Sequence, residues 1–126
     1  MLRLMGSASI PRTGFVFATN LQYVTGLPWG ATTPIALPQG LTRILLETPG
    51  TRRLSSQTLI DLRLSHGFEL AGNGRVELLL DVFNALNSRA EERLADDNLF
   101  SQNLARPSVF VDPRRAMLGV RLTFPQ

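Results

Sequence analysis

The chain has 126 residues and is 44% hydrophobic, which suffices for the core of one domain and argues against a disordered segment. All 13 basic residues are arginine, so a pI near 11.0 overstates a net charge of only +3; the arginines are scattered among ten carboxylates, without the clustered stripe that nucleic-acid binding needs. There is no cysteine, which removes disulfides and thiol chemistry, and no apolar run approaches the roughly 18 residues of a membrane helix.

The opening Met1-Leu2-Arg3-Leu4-Met5-Gly6 is too short and interrupted for a signal peptide, which needs an apolar stretch of about 7 to 15 residues. Taken as a whole protein the chain is then expected in the cytoplasm; taken as the end of a longer one, its export signal lies elsewhere. Residues 2–10 alternate in polarity and predict a strand that runs into the turn residues Pro11-Arg12-Thr13-Gly14. Phe15, Phe17, Thr19, Leu21 and Tyr23 form one face of a second strand over 15–23, which stops at Gly26-Leu27-Pro28. From Trp29 to Ser56 the chain carries Pro34, Pro38, Pro49 and Arg52-Arg53 and reads as a long loop, with a small strand possible within 41–47.

Ile60, Leu62, Leu64, His66 and Phe68 alternate with Asp61, Arg63, Ser65, Gly67 and Glu69, the cleanest period-2 segment, within a strand over 58–70. Gly72-Asn73-Gly74 predicts a hairpin turn. The segment 76–83 fits both a strand and a helical stripe, and the preceding turn favours the strand. Residues 88–94, rich in Glu and Arg, predict a short helix within a second long loop that runs to Pro113, and 115–124 alternate again as a final strand. The fold class is therefore all-β, an antiparallel meander of about five strands whose connections are alternately tight and long. Two long connections count against a compact soluble domain. They match a transmembrane β-barrel, whose strands cross in roughly 9 to 11 tilted residues between short periplasmic turns and long extracellular loops.

Three stretches carry a family resemblance: Tyr23-Val24-Thr25-Gly26-Leu27-Pro28-Trp29-Gly30, then Asp61-Leu62-Arg63-Leu64-Ser65, then Leu80-Asp81-Val82-Phe83-Asn84-Ala85-Leu86-Asn87. With Asp112-Pro113-Arg114-Arg115 before the closing strand, the chain resembles the C-terminal barrel region of TonB-dependent outer-membrane receptors, most of all the branch with a carboxypeptidase-regulatory-like domain. The resemblance implies that residues 1–126 are a fragment of a transmembrane β-barrel of about 22 strands, with no plug domain present. It implies a place in the outer membrane of a Gram-negative-type bacterium, and outer-membrane lipid, the rest of the barrel and its plug, and the barrel-assembly machinery as partners. Val120, Leu122 and Phe124 would be the assembly signal, although members commonly end on the aromatic and here Pro125-Gln126 follow. Family substrates include metal chelates and oligosaccharides, and the residues do not choose between them.

The candidate chemistry is sparse. His66 is the only histidine and lies on an apolar face, so it reads as an interfacial residue rather than a base or metal ligand. Glu91-Glu92 and Asp96-Asp97 match no calcium-loop spacing and read as a solvated polar loop. No catalytic, cofactor or metal residues are assigned. Trp29, Arg52 and Arg53 are the candidate ligand contacts in the loops, and Arg63 is expected diagonal to Asp81 on a polar, lumen-type face. The alternative is a small soluble β-rich ligand-binding protein whose long loops form the mouth.

Overall fold

A computed structural model describes residues 1–70 and 74–124. Strand is the only regular structure among them, in eleven segments: β1 (Leu2–Ser9), β2 (Phe15–Val24), β3 (Pro28–Trp29), β4 (Thr32–Leu37), β5 (Gly40–Leu45), β6 (Arg52–Arg53), β7 (Gln57–Leu70), β8 (Gly74–Phe83), β9 (Glu91–Leu94), β10 (Pro107–Phe110) and β11 (Arg115–Thr123). The chain divides into two compact units. One comprises Met1–Tyr23, Thr58–Ser88 and Pro113–Gln126; the other comprises Val24–Gln57 and Arg89–Asp112.

The first unit is a five-stranded sheet in the order β1-β2-β7-β8-β11, with antiparallel registers of Leu4↔Leu21, Leu64↔Leu80 and Leu118↔Leu80 among its pairs. Each predicted strand is present within two residues of its expected ends, and 76–83 is strand rather than helix. The predicted turn at Gly72-Asn73 lies outside the described residues, as do Pro125 and Gln126. The register corrects one expectation. Leu70 pairs with Gly74, so Arg63 falls directly opposite Asp81 and not diagonal to it.

Residues directly opposite across a ladder share a face. On β7, β8 and β11 one face therefore carries Leu62, Leu64, His66 and Phe68; Val76, Leu78, Leu80 and Val82; and Ala116, Leu118, Val120 and Leu122. Its reverse carries Arg63, Ser65 and Glu69; Glu77 and Asp81; and Met117 and Arg121. Among the described residues of this unit only polar ones and a glycine are buried: Ser65, Asn84 and Gly74. The apolar face covers nothing within the sheet, and Leu118 is 86% exposed.

The two long connections, after β2 and after β8, together make the second unit. They are not plain loops. β4 and β5 form a hairpin from Thr32↔Leu45 to Leu37↔Gly40, β3 pairs β6, and β9 pairs β10. Pro34, taken as a loop signal, sits in β4 opposite Arg43, which a two-stranded ribbon tolerates because each strand has an open edge. The short helix expected over 88–94 is absent. Residues 91–94 are β9, since a seven-residue helix is marginal alone and the β-formers Val109 and Phe110 supply a pairing partner. Ala31, Ala90 and Val111 are the buried apolar residues of this unit.

Candidate functional site

Three surfaces carry the candidate chemistry, and the first is the apolar face of the sheet. Val120, Leu122 and Phe124, which the sequence singles out, are 64%, 57% and 69% exposed. Val120 and Leu122 lie opposite Leu78 and Val76, and so continue the same apolar face to the sheet's β11 edge. A hollow of about 580 Å³ on this face is lined by Phe15, Leu64, His66, Phe68, Leu80 and Leu118. Within it Phe15 meets His66 edge-on at 4.2 Å between ring centres, and Phe68 lies 4.3 Å away. His66 Nδ1 is buried without a hydrogen-bond partner. The imidazole is thus packed as one ring among three.

The second surface is the polar face. Arg63 donates to both carboxylate oxygens of Asp81, the Nη2 to Oδ2 distance being 2.9 Å, and Arg121 Nη1 reaches Glu77 Oε2 at 3.2 Å. Asp61 is shared: Oδ2 accepts from Asn20 Nδ2 at 3.2 Å and Oδ1 from the Asn84 backbone N–H at 3.0 Å. Arg3 Nε extends the chain to Asn20 Oδ1 at 3.3 Å. A cleft of about 490 Å³ opens over Asn20, Asp61, Arg63 and Asp81, whose polar groups are spent on one another. This face is a cross-strand hydrogen-bond network more than a ligand site.

The third surface lies wholly within the second unit. Pro49 and Gly50 sit at the centre of a turn closed by Thr51 N–H to Thr48 O at 3.1 Å, and Gly50, at φ 86°, takes the left-handed position of a Pro-Gly turn. That turn returns the chain so that β6 pairs β3, placing Arg52 opposite Trp29 and Arg53 opposite Pro28. Gly26 is required here, because a Cβ would collide with the Leu54 carbonyl while Leu54 N–H bonds Leu27 O at 3.0 Å. The Arg52 guanidinium lies over the Trp29 ring, 5.2 Å from its centre, and grips Glu47 through Nε to Oε2 at 2.9 Å and Nη2 to Oε1 at 2.7 Å. Glu47 also accepts the Ala31 N–H at 3.0 Å. The Arg52 bonds, and then the Ala31 N–H, hold the Glu47 carboxyl below its usual range.

Asp97 joins the two long connections. Its Oδ1 accepts from Thr32 Oγ1 at 3.0 Å and from Arg43 Nη1 at 2.9 Å, while Thr32 N–H bonds Asp97 O at 2.8 Å and Leu99 N–H bonds Thr32 O at 2.9 Å. The expectation of a solvated acidic loop is corrected at this residue: Asp97 is a structural acceptor, held by a segment 65 residues earlier in the chain. Asp96 is likewise occupied, its carboxyl lowered first by the Ser101 side chain and then by the Asn98 N–H.

Trp29, Arg52 and Arg53 are thus brought together, but in different roles. Arg52 is committed to Glu47, whereas Arg53 spends Nη1 on Gly26 O at 3.3 Å. Glu47 and Thr32 are not singled out by the sequence, which reads Asp97 only as part of a solvated loop; the Pro49-Gly50 turn is a legible signal for Glu47 meeting Arg52, and nothing local announces the role of Asp97. Among the described residues no three His, Cys, Asp or Glu side chains gather as a metal site. No protein-family model, curated protein or solved structure matches this chain.

Proposed function

We propose that this chain forms five adjacent wall strands and two extracellular connections of an outer-membrane β-barrel, the C-terminal region of a TonB-dependent receptor that takes up a substrate. The observation that carries the reading is the sheet with one apolar face left uncovered along β7, β8 and β11, backed by a network of Arg, Asp, Glu and Asn. Burying aliphatic and aromatic side chains is the main favourable term in folding a water-soluble domain, and monomers seldom expose such contiguous surface. In a bilayer the same face is in contact with its solvent, and the charged reverse faces a wet lumen.

Strand length and connectivity support the same reading. β2, β8 and β11 have 10, 10 and 9 residues, the length of one tilted crossing, and short connections alternate with long ones along the five-stranded sheet. The three sequence stretches that resemble the receptor family have definite structural work. Asp61 holds the start of the turn at Asn84, Arg63 pairs with Asp81, and Gly26 allows the chain to pass Leu54. The wall would meet outer-membrane lipid, the remaining barrel strands and the plug, and Val120, Leu122 and Phe124 would engage the assembly machinery.

The test is the in-frame genomic sequence upstream of Met1 together with fractionation of cells that express it. Further alternating strands, a plug domain and recovery in the outer membrane are expected. A stop codon directly upstream and a soluble, monomeric product would favour a small β-rich ligand-binding protein instead.

A further inference from the structure

We infer that the hollow on the apolar face of the sheet holds one glycerophospholipid, its acyl chain against Phe15, Leu64, Leu80 and Leu118 and its phosphate at His66 Nε2 and Arg12. This rests on the reading of that face as lipid-facing and gives the lipid a place and a headgroup. The hollow is built entirely within the first unit, and its volume of about 580 Å³ is that of a small-molecule site.

The first supporting feature is an imidazole closed on one side. Phe15 and Phe68 pack on the His66 ring and Nδ1 is buried without a partner, so Nε2 is the atom through which the ring meets a ligand. Nε2 faces the turn between β1 and β2, where a Cβ on Gly14 would stand 3.7 Å from it. Gly14 sits at φ 72°, a conformation that residues with a side chain rarely adopt, so no Gly14 side chain covers this edge of the ring. An N–H there donates to a phosphate oxygen.

The second feature is the distribution of charge. The same turn is closed by Ile10 N–H to Phe15 O at 2.8 Å and carries Arg12, which is exposed. The carboxylates of the sheet strands, Asp61, Glu69, Glu77 and Asp81, all lie on the reverse face, and β1, β2 and β11 have none. An anion at the turn end of the apolar face thus meets a guanidinium and an imidazole without an opposing acid. A sugar headgroup offers only neutral acceptors, whose hydrogen bonds are about half as strong.

The third feature is what adjoins the His66 edge. Leu64, Leu80 and Leu118 gain from leaving water and offer an inorganic anion nothing. An acyl chain carried on the same glycerol as the phosphate covers them, so one molecule satisfies both the polar edge and the apolar walls.

His66 is the chain's single histidine, so its ring proton resonances report on this hollow alone. The full chain in detergent is titrated with phosphatidylglycerol, and in parallel with digalactosyldiacylglycerol of the same acyl chains and with inorganic phosphate. The expected result is a saturable shift of the His66 resonances, about threefold or more tighter with phosphatidylglycerol than with the galactolipid, and none with inorganic phosphate. Native mass spectrometry then measures retained phosphatidylglycerol: His66→Phe, which keeps the ring packing, and Arg12→Gln should each weaken it by about threefold or more. Leu118→Trp, which fills the hollow, should lower retention of both lipids. Circular dichroism of the variants checks that the strands persist. Equal affinity for the two lipids, saturation by inorganic phosphate, or folded His66→Phe and Arg12→Gln that both retain phosphatidylglycerol as the parent does would each overturn the proposal. Vesicle insertion, measured on the same preparations, separates the outcomes: insertion without selective retention refutes this site alone, and selective retention without insertion refutes the barrel reading alone.

Discussion

Asp61 Oδ1 accepts the backbone N–H of Asn84 at 3.0 Å, tying the middle of β7 to the residue at which the chain leaves β8. Asn84 is buried and sits at φ 47°, a left-handed conformation that asparagine tolerates better than most residues. Its side chain closes a local loop, accepting Ser88 N–H at 2.8 Å and donating to Ser88 O at 3.0 Å. The exit of β8 is therefore set by side chains as well as by the ladder.

Asp61→Ala removes the bond from the Asn84 N–H to a charged acceptor, a loss of about 1.5 to 3 kcal/mol. Asn84→Ala adds the strain of an unfavourable φ and removes both bonds to Ser88. The backbone N–H that Asp61 accepts survives in Asn84→Ala, so the two changes remove different hydrogen bonds that hold one turn, and denaturant unfolding of the two single variants and the double variant should show non-additivity through that shared backbone. Additive losses would mean that Asp61 and Asn84 act independently.

The acid response of the second unit has a definite sign. Glu47 is held below its usual pKa, first by the Arg52 hydrogen bonds and then by the Ala31 N–H, so its ionised form is bound more tightly folded than unfolded. Its contribution is present above the ordinary glutamate range and is lost as pH falls through the depressed folded value. Asp96 acts in the same direction through Ser101 and Asn98. Trp29 emission followed from neutral to acid pH should report loss of the Arg52 contact, and Glu47→Gln should flatten that response while leaving the Asp96 share. An unchanged acid profile in Glu47→Gln would remove Glu47 from the account.

Leu80 and Leu122 lie on the apolar face, opposite Leu118 and Val76 respectively. Arginine at either position should cost about 2 to 4 kcal/mol if it lies at the bilayer midplane, and less toward an interface. Outer-membrane abundance and resistance of the assembled protein to unfolding measure the effect. Normal values for both Leu80→Arg and Leu122→Arg would contradict a lipid-facing sheet.

The five long strands were legible because one face is uniformly apolar, which makes the period of two unambiguous in β2, β7 and β11. Register was less so: Arg63 and Asp81 change from diagonal to direct partners when the turn shifts by one residue. In the second unit the local signals conflict. Pro34 suggests a loop yet lies in β4, and Glu91-Glu92 suggest a helix yet lie in β9, because the pairing partners Arg43 and Phe110 are invisible to a local pattern. Trp29, Arg52 and Arg53 were found by residue type alone, while Thr32 meets Asp97 across 65 residues of sequence and could not be read.

Phe124 closes the apolar face at the end of the described chain and is 69% exposed. If the last strand is read by the assembly machinery, the ring supplies its largest contact, and removing it impairs insertion more than it weakens a barrel already formed. Phe124→Ala in the longest natural reading frame should lower outer-membrane abundance while the surviving fraction unfolds normally. Normal abundance would refute the signal, and equal losses of abundance and stability would indicate packing alone.

The central claim is that the two faces of β11 meet different solvents, and the absence of cysteine allows single labels to test it directly. Leu118→Cys and Met117→Cys are adjacent in β11, opposite Leu80 on the apolar face and Asp81 on the polar face. Each is spin-labelled in the protein inserted in lipid vesicles, and accessibility to oxygen is compared with accessibility to a water-soluble nickel chelate. The account predicts that the label at 118 collides mainly with oxygen dissolved in the acyl chains and the label at 117 mainly with the chelate; equal access of both labels to the chelate would contradict it.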